Sequence, residues 1–206
     1  MFSLLLRGFA LGFAVAASPG PIFFLCVRRT LTQGRLTGLA SGLGVATADG
    51  FYAAIATFGV AALTTAFVAG RRPLAVVGGA VLVLLGARIL MERNQAVREG
   101  GAPTGRGLAW AYVSTLGLTI TNPATIVSFA ALAATLGLGT GGSLARPAVV
   151  VLGVLLGSAA WWCVLVLATS SLRARLTPSL VRWISAVSGL AIAVLGILAV
   201  LSAFSG

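Results

Sequence analysis

The chain has 206 residues, 59% of them hydrophobic and only 8% charged, with a mean hydropathy of +1.08. That balance excludes a soluble domain, in which about a quarter of residues are charged, and points to an integral membrane protein. The net charge of +11 arises from 14 arginines against three acids. These arginines separate apolar runs and form no basic stripe with interleaved aromatics, so the lipid bilayer is the expected partner and nucleic acid is not.

Apolar runs bounded by arginine or by Gly/Pro clusters give six expected spans, at about 4–27, 37–68, 73–91, 107–137, 147–170 and 180–203. Arg7, the apolar stretch after it and Ala14-Val15-Ala16 imitate a secretory signal. Apolar character continues through Val27, however, so this segment is read as the first span. Deep inside it stands Ser18-Pro19-Gly20-Pro21. A proline in a spanning helix removes a backbone donor and frees carbonyls that hydrocarbon cannot satisfy, so such a break is tolerated only inside protein or beside a polar cavity. Carbonyls around Ala16 to Ser18 are expected to accept from an ammonium group or water. Arg28 and Arg29, just beyond, are read as snorkelling topology signals.

The second span carries Asp49, the sole acid in any expected span, and then Tyr52. An ionised group at that depth needs a partner or water and marks a pathway. Asp49 is expected to bind a proton or a substrate amine in turn, the plainer alternatives being an ion pair with Arg88 or a hydrogen bond to a hydroxyl. After the third span, Glu92, Arg93, Arg98, Glu99 and Arg106 stand among glycines in a solvated loop, 92–106. The fourth span holds a second break, Thr121-Asn122-Pro123. Asn122 can cap the half-helix after Pro123 or contact substrate, and that half-helix directs unpaired N–H groups toward a carboxylate. The fifth span carries Trp161 and Trp162. Tyr52 and Trp161 lie too deep for an interfacial belt and are expected either to pack or to wall an amine-binding cavity, whereas Trp110, Tyr112 and Trp183 suit headgroup anchoring.

Ten arginines (28, 29, 35, 88, 93, 98, 106, 173, 175 and 182) fall on one side of the expected spans and four (7, 71, 72 and 146) on the other. The positive-inside rule then puts both termini outside and the 92–106 loop in the cytoplasm. The two halves also match each other. Gly79 and Gly86 recur as Gly189 and Gly196, a displacement of 110, while Gly44-Val45 and Tyr52 recur as Gly153-Val154 and Trp161, a displacement of 109. The proline motifs need about 102, with Gly137, Gly139, Gly141 and Gly142 marking the insertion. Three spans per half make the repeat inverted: repeat one 1–91, loop 92–106, repeat two 107–206, in a single domain. Inverted repeats with discontinuous helices are a recurring secondary-transporter architecture. Gly34, Gly38 and Gly42, like Gly153 and Gly157, are spaced for close helix packing, and such faces could also support a homodimer.

Residues 18–63 resemble the first half of lysine exporter (LysE/RhtB-type) proteins in the PGP motif, the arginine-flanked glycine of the first loop, the GxG helix start and the acid of span two. TNPATIVSF, 121–129, resembles the asparagine-proline motif that opens the second half, and a glycine-led span with a tryptophan pair follows. Many amino-acid exporters of this type carry a lysine after that pair, where this chain has Ala124-Thr125. The resemblance implies a six-span fold and export of amino acids across a bacterial-type cytoplasmic (inner) membrane.

The expected function is therefore secondary export of amino acids or similar small zwitterions, coupled to protons through Asp49, with Ser18, Pro19, Gly20, Pro21, Asn122, Pro123, Tyr52 and Trp161 contacting substrate. No cofactor, no metal site and no enzymatic activity are expected, for the chain has no histidine and no nucleotide-binding loop. Two rival readings exist. A metal-ion exporter of the same superfamily would need several converging ligands. A membrane thiol-disulfide carrier would need cysteines at the breaks, and Cys26 and Cys163 stand elsewhere, as packing residues.

Overall fold

The computed structural model describes residues 1–58, 69–91, 104–122, 125–126, 128–129, 144–173 and 177–204. Pro123, Ala124, the glycines at 137–142 and the loop positions 92–103 lie outside them. Seven helices are described: α1 (Phe2–Ala16), α2 (Pro21–Gln33), α3 (Arg35–Thr57), α4 (Arg71–Met91), α5 (Gly105–Ile120), α6 (Ala145–Arg173) and α7 (Pro178–Ser202). Four of them, within α3, α4, α6 and α7, are long and apolar enough to cross a bilayer. The 15 residues of α1 reach only about 22 Å, short of a hydrocarbon core of about 30 Å. Joined to α2 they would suffice, but the two helices meet at 80°, which makes a bent fifth candidate. The chain is thus a multi-span helical membrane protein.

The bend follows from the missing donors. Pro19 has no N–H for the carbonyl of Val15, and Ser18 N–H takes it instead at 3.2 Å, tightening the last turn of α1. Gly20 is extended, Pro21 occupies the first turn of α2, where its absent N–H is harmless, and the Gly20 carbonyl accepts from Phe24. The second break ends its helix in the same manner. Asn122 N–H takes the Thr119 carbonyl at 3.1 Å, the bond that Pro123 cannot make, and the Asn122 carbonyl then accepts from Ile126. The helix ends Ala16 and Ile120 stand 104 positions apart, and the carbonyls that accept beyond each break, those of Gly20 and Asn122, stand 102 apart. Gly34, with φ 95°, separates α2 from α3 in a backbone region that favours glycine. At its far end α3 stops at Thr57, with Phe58 as cap and Gly59 next in sequence. The rest of the expected span, 59–68, lies outside the described residues.

Small residues bring the helices into backbone contact. On α4 and α7, a Cβ at Gly79 would lie 2.7 Å from the Gly196 carbonyl oxygen, and one at Gly196 would lie 2.7 Å from that of Gly79. Gly86 and Gly189 oppose each other in the same way. Gly153 packs on Leu5, Gly8 and Phe9 of α1, while Gly44 packs on Tyr112, Thr115 and Leu116 of α5. Close approach of this kind gains dispersion contact where lipid offers no hydrophobic drive for association. Leu84, Leu152, Leu167, Leu190 and Leu201 face outward, as a lipid-facing surface requires.

Candidate functional site

Several buried polar groups in these helices satisfy themselves. Thr30, Thr57 and Thr119 donate to carbonyls one turn back, at 2.7 to 2.8 Å, and so add no demand on neighbouring helices. Two charged residues are buried among those described, Asp49 and Arg29, and each depends on a different helix for its partners.

Asp49, 2% exposed, projects from the middle of α3, a helix whose Gly42, Gly44 and Gly50 admit α5 and α6 at close range. Its Oδ2 accepts a 2.7 Å hydrogen bond from Ser158 Oγ on α6. Of the alternatives foreseen for Asp49, the hydroxyl partner is present, and Arg88 is exposed in the last turn of α4. Ser158 was not singled out from the sequence, where a serine inside a span is unremarkable. A signal existed: Ser158 stands 109 positions after Asp49, the same displacement that relates Gly44 to Gly153.

One turn from Asp49 on the same helix, buried Tyr52 donates its hydroxyl to the carbonyl of Ile120, at the residue before Thr121-Asn122. Its ring stacks on Phe129 beyond that break, with centroids 5.8 Å apart. Trp161 meets Phe13 of α1 edge-on at 5.3 Å, close to the Ser18-Pro19-Gly20-Pro21 break. Each deep aromatic therefore reaches the neighbourhood of the helix break in the opposite half of the chain. The indole N–H groups of Trp161 and Trp162 are buried without a hydrogen-bond partner among the described residues. Such a donor is an open demand that solute or water can meet. Ser18 and Pro19 are exposed, while Gly20, Pro21 and Asn122 are half-buried.

Arg29 corrects the sequence reading. It is 6% exposed, not a snorkelling cation: Nη1 donates to Ser41 Oγ at 3.0 Å and to the Ala111 carbonyl at 3.1 Å, and Nη2 donates to Ser114 Oγ at 2.9 Å. Its position in the last turns of α2, with α3 on one side and α5 on the other, buries it. Sequence alone could not separate it from Arg28, because its pocket is made by a helix some 80 residues away. Two further expectations change. Cys163 is exposed on α6 whereas Cys26 is packed in the core, and Tyr112 donates to Thr47 at 2.9 Å, tying α5 to α3 instead of serving only as a headgroup anchor.

Neither a curated protein nor a solved structure gave a significant match to the chain. A family profile does match: the LysE type translocator, over residues 13–203. That span takes in both helix breaks, Arg29, Asp49 and Ser158, and the chain belongs to this family of transporters, whose members act as secondary exporters of amino acids and related small molecules and not as enzymes.

Proposed function

We propose that this exporter is built from two inverted three-span repeats and couples efflux of a small zwitterion to protons through Asp49. The observation that carries the reading is the Asp49 to Ser158 hydrogen bond. Two positions related by the repeat meet face to face, as residues on a two-fold axis must, and one of them is the ionisable group. The glycine contacts support the same axis. Gly79 opposes Gly196 and Gly86 opposes Gly189, so each contact maps onto the other when the halves are exchanged. The fourth span of this arrangement starts with α5, whose 16 residues end at the second break, as α1 ends at the first.

Coupling follows from the chemistry of a carboxyl group that faces a hydroxyl. With Asp49 ionised, Ser158 donates and the site offers negative charge to a substrate ammonium. With Asp49 protonated, the attraction is gone and the amine is released. Tyr52 and Trp161 line the two approaches, and Ser18, Pro19, Gly20, Pro21, Asn122 and Pro123 supply backbone groups freed by the breaks. The arginine distribution supports an orientation with both termini outside and 92–106 cytoplasmic. Among the described residues no group of three His, Cys, Asp or Glu side chains gathers to hold a metal ion, which weakens the metal-export alternative. The test is counterflow in proteoliposomes with a panel of neutral and basic amino acids and inorganic cations. Amino-acid counterflow is expected, and movement of cations alone would replace this reading with the metal-exporter one.

A further inference from the structure

Arg29 plays no part in the coupling scheme, yet a buried guanidinium is costly in a membrane protein and seldom idle. Its three partners among the described residues are neutral oxygens, which satisfy donors without balancing charge. A carboxylate is a stronger acceptor for the same planar fork and can take two of its N–H groups at once. Releasing the present partners is easy. Ser114 Oγ also donates to the Ala111 carbonyl at 3.2 Å, and that carbonyl accepts a further bond from Thr115 at 2.9 Å, so neither is orphaned when the guanidinium turns away.

We propose that Arg29 is the receptor for the carboxylate of the exported solute on the cytoplasmic side, held in readiness by Ser41, Ser114 and the Ala111 carbonyl. This rests on the exporter function and on the orientation proposed above, which places the end of α2 at the face where solute enters. The bonds of Arg29 join α2 to α3 in the first half and to α5 in the second. Exchanging Ala111 and Ser114 for a solute carboxylate therefore loosens a tie between the halves at the moment of loading, when a transporter of the alternating kind must begin to move. Ser41 and Asp49 are eight residues apart on α3, about 12 Å of helix rise, longer than the separation of the charged ends of an α-amino acid. Arg29 and Asp49 accordingly engage the solute in succession.

The test compares efflux KM for leucine, serine and lysine with that for their carboxamides, using the full chain in proteoliposomes. The parent is expected to favour the acids by about tenfold or more, the scale of one charge-assisted contact. In Arg29→Gln the preference collapses to within about twofold because KM rises for the acids alone. Arg29→Lys, which keeps the charge but loses the fork, retains part of it. Equal losses for acids and carboxamides in Arg29→Gln would mean a structural clamp and overturn the proposal, as would a lysine variant no better than the glutamine one. Should Arg29→Gln fail to insert, Ser114→Ala decides: a lower KM for acids with unchanged KM for carboxamides is expected, and the same response for both overturns it. A parent that moves the acids but shows no preference over carboxamides sinks this inference alone, whereas a parent that moves none of the six sinks the exporter reading with it.

Discussion

The two halves of the chain agree in how they pack and differ in what they carry. Gly44 and Gly153 admit neighbouring helices at matching places, and both breaks end with the residue before proline taking the carbonyl that proline leaves. Against that common frame, Asp49 faces Ser158, and Tyr52 corresponds to Trp161. Arg29, taken at the displacement of Pro21 and Pro123 in the sequence, corresponds to Ala131. Packing positions leave little room for a side chain because backbones touch there. On the proposed mechanism, the chemistry resides where the two halves carry different side chains.

The sharpest way to break that comparison is to exchange the facing pair. Asp49→Ser alone should lower gradient-driven efflux by about tenfold or more, since a group able to ionise and a charge-assisted bond are both lost. Adding Ser158→Asp should restore a measurable part of it, because the carboxyl and hydroxyl merely change sides of the axis. No recovery in a well-inserted double variant would argue that the two positions are not equivalent. Next in size is the seam of α4 and α7. Gly79→Leu has to displace the Gly196 backbone and is expected to destabilise by about 1–3 kcal/mol or more. Gly117→Ala meets nothing within 4 Å among the described residues and should be neutral or slightly stabilising. Thermal unfolding in detergent distinguishes them, and similar melting temperatures would remove the packing account. The smallest effect belongs to the aromatics. Tyr52→Phe loses its bond to the Ile120 carbonyl, worth about 1 kcal/mol, and should slow transport several-fold. Trp161→Phe keeps an aromatic ring against Phe13 and loses a donor that has no partner among the described residues, so efflux should change less. The reverse order would mean that the indole donor engages the solute.

Much of this architecture is visible in the sequence because membranes make exceptions conspicuous. One acid among apolar residues, or two prolines where a helix should continue, needs no structure to be noticed. Arg29 was hidden by the converse. Arginines near span ends are ordinary, and only the arrival of Ala111 and Ser114 from the other half makes this one buried. Ser158 was hidden by its plainness, although the repeat displacement pointed to it.

The most direct test of the account is substrate-dependent proton movement in proteoliposomes, measured for the parent and for Asp49→Asn with the same amino acid on the same side. The parent is expected to move protons only while it moves amino acid, and Asp49→Asn to carry no protons with whatever amino acid it still exchanges. Undiminished proton movement in the asparagine variant would contradict the assignment of coupling to Asp49.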